Sequence, residues 1–209
     1  MKNKVYILIA VSILTALAAS QAWSADDAES SQEYKIKAAF IYNFIKYIDW
    51  PEKKLSAEKD DDPIVIGVIG VNPFGEALEP ITKKTVKNKK LAVRYFPGFE
   101  QAGKKYNDKN TENLRNCCVL FVSFSEKKYF REITELLNDS HVLTVSNVLT
   151  ISEADGFLEA GGIINFVTEK EKVNFSINLD AAKRAEIVIP TTILKIAKKV
   201  IHEQKKEKG

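Results

Sequence analysis

The stretch "IVIGVIGVNPFGEALE", Ile64 to Glu79, decides the fold: it begins with an unbroken apolar run, Ile64 to Ile69, and then breaks at Gly70-Val71-Asn72-Pro73. A strand with one wet face alternates apolar and polar side chains. A continuous run therefore describes a strand covered on both faces, as in a parallel sheet with helices on each side. Its β-branched residues and the Gly/Pro break favour a strand over a buried helix. Asn72 reads as a helix cap with Pro73 at the first helical position, which predicts a helix from Pro73 to Ile81. Gly67, Gly70 and Gly75 surround this turn, but their spacing matches neither the dinucleotide fingerprint nor the phosphate loop with its Lys-Ser/Thr.

Downstream, similar runs predict strands at Leu91 to Phe96, Cys118 to Ser123 and Val142 to Val145. Glu126 to Leu137 reads as a helix with Ile133, Leu136 and Leu137 on one face, and Ser123 with Glu126 three positions later resembles a capping box. The C-terminal third changes style. In "GGIINFVTEKEKVNFSINL" the runs Ile163 to Thr168 and Val173 to Leu179 flank the charged tight turn Glu169 to Lys172, which predicts an antiparallel hairpin. "LDAAKRA" is a short helical turn. Thr191 or Thr192 caps a last helix carrying Ile193, Leu194, Ile196, Ala197 and Val200, and the lysine-rich tail beyond His202 frays. The expected fold class is α/β, three-layer, with a mostly parallel sheet flanked by helices and a C-terminal antiparallel hairpin.

Upstream, "KIKAAFIYNFIKYIDWPE", Lys35 to Glu52, places Ile36, Phe40, Phe44, Tyr47 and Ile48 at steps of three and four, and Pro51 ends the helix. Ile36, Phe40, Phe44 and Ile48 are expected to cover the sheet. Tyr42, on the opposite flank with Lys35 and Lys46, and Trp50 at the helix exit suit a pocket rim or a protein contact, and capping of the core is the equal alternative for Trp50. The charged run Glu52 to Asp62 is a surface loop.

Before this helix lie Lys2 and Lys4, the apolar run Val5 to Ala19 and small residues at Ser20, Ala22 and Ser24. That is the anatomy of a cleaved signal peptide over residues 1–24, with cleavage before Trp23 or Ala25. The apolar run falls short of the roughly 20 residues that span a bilayer. A linker over 25–33 and a single domain over 34–204 follow. The formal charge of +3 includes Lys2 and Lys4, so the mature chain is close to neutral and advertises neither nucleic acid nor an anionic membrane.

Candidates for chemistry are few. Cys117 and Cys118 are adjacent in an apolar run, and neighbours on a strand point to opposite faces, so two buried thiols are expected, with a vicinal or intermolecular disulfide as the alternative in an oxidising compartment. His141 and His202 have no ligand spacing around them, which leaves no metal site and no cofactor. No Ser-His-acid or Cys-His set can be assembled, and the strand ends lack the carboxylate cluster of a phosphorylated receiver. Uncharged residues gather there instead: Asn72, Ser123, Ser125, Ser146 and Asn147. They could line a polar ligand pocket outside the carboxyl ends of the strands, and helix capping accounts for the same residues.

Taken in order, "YKIKAAFIYNFIKYIDWPE", "IVIGVIGVNPFGEALE", "CCVLFVS" and "GGIINFVTEKEKVNFSINLDAAKRAEIVIPTTILKIAKKV" resemble the YfiR-like family of periplasmic proteins over nearly the whole mature chain. Tyr42-Asn43-Phe44, Trp50-Pro51, the Gly161-Gly162 pair and the Phe175 to Leu179 strand with Asn178 carry the resemblance. It implies an exported, non-enzymatic regulator able to dimerise, which binds and restrains an inner-membrane diguanylate cyclase and so lowers cyclic di-GMP and biofilm formation. The alternative is a small-molecule sensor coupled to a sensor kinase or outer-membrane receptor. Tyr42, Trp50, Glu159, Gly161, Gly162 and Ile164 are the expected partner contacts. Members of the cyclase branch use several cysteines in disulfides, whereas this chain carries only Cys117 at a matching position, with Cys118 beside it, so disulfide control is not expected.

Overall fold

The computed structural model describes residues 29–51, 54, 62–101, 108–138 and 146–202. The signal peptide, most of the loop from Glu52 to Asp62, the strand expected at Val142 to Val145 and the tail beyond His202 lie outside the described residues.

Helix α1 covers residues 29–47, so 29–33, expected in the linker, are already helical. After it come β1 (Ile64–Ile69), α2 (Glu79–Thr82), β2 (Thr85–Val86), β3 (Lys89–Phe96), α3 (Asp108–Arg115) and β4 (Val119–Val122). A 3-10 turn, Phe124–Tyr129, leads into α4 (Phe130–Leu137), then β5 (Leu149–Ser152), β6 (Ile164–Glu169), β7 (Lys172–Asn178), α5 (Leu179–Arg184), α6 (Thr191–Leu194) and β8 (Lys199–Ile201). The sheet runs β2-β3-β1-β4-β5-β6-β7-β8. The pairs β1/β3, β1/β4, β4/β5, β5/β6 and β7/β8 are parallel, while β2/β3 and β6/β7 are antiparallel.

Every residue of β1, β4 and β5 is buried, which is why those runs show no alternation. One face presents Ile64, Ile66, Val68, Phe121, Ile164 and Phe166 to α1 and the C-terminal helices; the other presents Val65, Ile69, Leu120 and Val122 to Leu114, Phe130, Ile133 and Phe157. Helices on both faces make the three layers expected, and the β6–β7 hairpin turns tightly at Lys170 and Glu171, both with positive φ.

Several elements differ from the sequence-based expectation. The α1 stripe that meets the sheet is Lys37, Ala38, Ile41, Phe44, Ile45 and Ile48, while Ile36 and Phe40 sit at its edge. A strict four-residue step drifts around a 3.6-residue helix, so Ile36 and Ile48 cannot share one line. Pro73 to Leu78 forms turns, and the helix begins only at Glu79 with Pro80 in its first turn. The last helix is one turn long and is capped by Pro190 without a side-chain bond, so neither Thr191 nor Thr192 caps it. Beyond it, Val200 and Ile201 pair with Ile177 and Asn178 and close the open edge of the hairpin as a strand.

Candidate functional site

In this sheet the chain leaves β1 toward β3 on one side and toward β4 on the other, so the topological switch lies at the carboxyl end of β1, where open α/β folds bind ligands. Here that crevice is filled by the chain itself. Glu126, 4 % exposed, accepts from the Phe99 N–H through Oε2 at 2.8 Å and from the Ser125 hydroxyl through Oε1 at 3.0 Å. Ser125 Oγ in turn accepts from the Val71 N–H at 3.0 Å. A Cβ at Gly70 or Gly98 would collide with the Glu126 carboxylate, so both glycines make room for it.

Of the five residues expected to line a pocket, Asn72, Ser123 and Ser125 are at this end, and all three close turns. Asn72 Oδ1 accepts from the Phe74 N–H at 2.9 Å, and Ser123 caps the 3-10 turn by accepting from the Ser125 N–H. Ser146 and Asn147 are at the opposite end, because they lie just before the start of β5. The Ser146 carbonyl accepts from Lys54 Nζ at 2.6 Å, and Asn147 Nδ2 donates to the Ala185 carbonyl at 2.8 Å. The five-residue pocket is therefore not formed.

The polar group that does follow β5 is Glu153, which the sequence reading missed. It accepts from the Tyr34 hydroxyl at 3.0 Å and pairs with Lys37. Lys37, 3 % exposed, also pairs with Glu33, and Glu33 accepts from the Thr168 hydroxyl at 2.8 Å. The signal was present: Lys37 stands four and seven residues before Ile41 and Phe44, on the buried stripe, where a lysine needs carboxylates.

The expected partner contacts are scattered. Trp50 is 7 % exposed and donates from Nε1 to the Ile45 carbonyl at 3.1 Å, so it belongs to the core. Ile164 is buried, and Gly162 packs so tightly on the Phe157 ring that a Cβ would overlap it. These three positions face inward and are unavailable to a partner. Tyr42 is half-buried with Lys84 Nζ 4.5 Å above its ring, Gly161 is half-buried at φ +94°, and Glu159 is exposed.

What α1 does present outward is an apolar groove of about 310 Å³ formed by Phe40, Asn43, Phe44 and Tyr47 with Thr192, Ile193 and Ile196. A second hollow of about 320 Å³ shares Phe40 and Asn43 and continues along the helix to Ile36, Lys35 and Gln32. Tyr47 and Ile196 are 53 % and 63 % exposed, an unusual cost for two large apolar side chains beside one groove. A more polar groove of about 730 Å³ lies between the start of α1 and residues 73–83, with Tyr34, Lys35, Glu76, Glu79 and Lys83 among its walls.

Among the described residues no cluster could hold a metal ion, and no helix is long and apolar enough to cross a membrane. Cys117 and Cys118 are both buried and unpaired. Burial pushes the Cys117 thiol up to about 12 despite the opposing pull of the Lys54 ammonium, and burial raises Cys118 as well. A thiol held protonated is a poor nucleophile. Native protein is expected to resist alkylation and to gain two adducts once denatured, with reductant leaving Tm unchanged. Mass spectrometry and a thermal melt check this, and rapid native labelling would refute it.

The model of the YfiR/HmsC-like family matches residues 34–198. No curated protein matches the chain. Two solved structures align with part of the chain. One is titled the ABC domain in complex with L-Trp from Streptococcus pneumonia, with a TM-score of 0.48 and 16 % identity over 66 % of this chain and 55 % of that one. The other is a conserved domain protein from Vibrio cholerae, with a TM-score of 0.48 and 14 % identity over the same shares. The chain thus spans about half the length of each.

Proposed function

The chain belongs to the YfiR/HmsC-like family, and from that premise we propose that it is an exported, non-enzymatic regulator that binds the periplasmic part of an inner-membrane signalling protein and restrains it. The partner is a diguanylate cyclase, so that the regulator lowers cyclic di-GMP and biofilm formation. The observation that carries this reading is the groove along α1, where Tyr47 and Ile196 stand exposed beside Phe40. Exposed aromatic and aliphatic anchors around a concave apolar seat are what protein recognition uses.

A regulator outside the membrane acts by binding one conformation of a spanning partner better than another. A full swing between two states needs about 5.5 kcal/mol of differential affinity, and a few anchors buried in such a groove supply energies of that order.

Deleting the gene is expected to raise cellular cyclic di-GMP and surface attachment, and a photo-crosslinker placed at Tyr47 is expected to capture an inner-membrane protein. Unchanged cyclic di-GMP together with no membrane adduct would sink the cyclase reading. The polar groove beside Tyr34 supports a second reading, a small-molecule sensor coupled to a sensor kinase or outer-membrane receptor. A stoichiometric metabolite co-purifying from the periplasm, lost on Tyr34→Ala, would favour it.

A further inference from the structure

Lys37 is buried, and the groups that face it come from three elements. From α1 they are Glu33, one turn earlier, and Tyr34, whose ring centre lies 4.6 Å from the ammonium. From the residue after β5 there is Glu153, which also accepts from the Tyr34 hydroxyl. From β6 there is the Thr168 hydroxyl, donating to Glu33. Phe74, edge-on to Tyr34 at 5.3 Å, closes the side toward β1. One ammonium thus answers two carboxylates, and together they tie the first half of α1 to the carboxyl ends of β5 and β6.

We propose that the Glu33–Lys37–Glu153 cluster is an acid-releasable latch that holds the first half of α1, and with it one end of the α1 groove, against the sheet. The charge count gives the mechanism. Counted formally, two carboxylates and one ammonium leave the cluster singly negative. The first proton leaves a neutral carboxylate–ammonium pair, which is stable when buried. The second leaves Lys37 as an unpaired cation in a site 3 % exposed, and an isolated buried charge is the costliest arrangement a protein interior can hold. The helix relieves it by swinging its first turns into water. Gln32, Lys35 and Ile36 lie on those turns and wall the groove, so release dismantles that end of it.

The direction follows from linkage. Burial alone would raise the Glu33 carboxyl, but the Lys37 ammonium and the Thr168 hydroxyl outweigh it and hold Glu33 below its ordinary range. A depressed folded value means the stabilisation is complete above the ordinary Glu range and is lost as pH falls through the folded one. Tyr34 is held up by burial and by Glu153 and stays neutral throughout. The window of release therefore lies below about pH 4.3. The latch is a property of the fold and does not depend on which partner the groove takes.

Hydrogen-exchange protection factors of the intact protein, followed from neutral pH to about pH 3, test it. Amides in residues 30–40 are expected to lose protection at least about tenfold in that window, with proton uptake, while β1 and β4 stay protected. Lys37→Met should reverse the sign, leaving two unpaired carboxylates that loosen the segment at neutral pH and let it dock as acid neutralises them. If that variant does not fold, Glu153→Gln serves instead, and its release should follow the Glu33 carboxyl alone. Loss of protection in 30–40 and β4 together, or a Lys37→Met or Glu153→Gln profile identical to the unmodified protein, overturns the latch.

Discussion

Phe44→Ala is expected to cost about 3–5 kcal/mol of folding stability, the largest loss of any single side chain in α1. Phe44 is 1 % exposed and sits where the helix meets the hairpin. Its ring stacks on Phe40 at 6.0 Å and Phe166 at 6.2 Å and meets Phe175 edge-on at 5.0 Å, while Phe40 also meets Phe175 at 5.4 Å. Truncation removes the buried ring and leaves a void bounded by a helix and two paired strands that cannot collapse into it. A domain of this size is stable by about 5–15 kcal/mol in all, so the variant should sit near the threshold of unfolding. Urea unfolding measures the difference, and a loss below about 1 kcal/mol would mean that α1 is not docked on β6 and β7 as described.

Tyr47→Asp combined with Ile196→Asp is expected to do the opposite: leave the fold intact and abolish regulation. Both side chains are more than half exposed, and exposed substitutions usually move stability by no more than about 0.5 kcal/mol each. Placed in an apolar seat, however, two carboxylates would have to be desolvated by any partner. Removing even one anchor of hot-spot quality costs at least about 2 kcal/mol, roughly thirtyfold in affinity. Cells carrying the double variant should show cyclic di-GMP at the level of the deletion, with undiminished periplasmic protein and an unchanged melt. Trp50→Ala is the control. The sequence nominates Trp50 as a contact, but its burial predicts a loss of stability, so any rise in cyclic di-GMP there should track falling protein level. If the double aspartate variant regulates as well as the unmodified protein, the groove is not the contact, and the exposed surface at Glu159 and Tyr42 becomes the next place to test.

The functional surface was less legible than the fold, and α1 shows why. Its aromatic content is plain in the sequence, and so is its termination before Pro51. Which aromatics face inward depends on a rotation of about one residue, set by where the helix lands on β6 and β7. That rotation buries Ile41 and Ile45, puts Phe40 on the rim, exposes Tyr47 and draws Lys37 inside. Lys37 therefore reads as one more surface lysine until Glu153, more than a hundred residues away, is brought beside it. Glu126 makes the same point. In the sequence it closes a capping box three positions after Ser123, whereas in the structure it fills the switch-point crevice, because Phe99, Ser125 and the glycines that follow β1 and β3 converge there.

Strand identity divides in the same way. β1 and β4 were legible because burial on both faces imposes an apolar residue at every position, a constraint written in consecutive residues. The β6–β7 hairpin was legible because two apolar runs flank a charged four-residue turn with pairing Glu169 to Lys172. β2, two residues long and turned by Lys87 and Asn88 at positive φ, is too short to show a period. α3, with Leu114 as its one side chain in the core among described positions, has no apolar stripe to betray it.

By itself, then, the sequence determined the layer architecture, the hairpin and the existence of the first helix, because each rests on burial or turn chemistry that neighbouring residues share. Tertiary structure alone decided that Lys199–Ile201 is a strand and not the end of a helix, that Ser146 and Asn147 lie across the sheet from Ser123, and that Lys37 is a buried cation. Each depends on a surface supplied from elsewhere in the chain: the free edge of β7 for the strand, the register of β5 for the two polar residues, and the carboxylate of Glu153 for the lysine. Pairing free energy across such distances is set by which edges and charges meet, and local periodicity does not encode it.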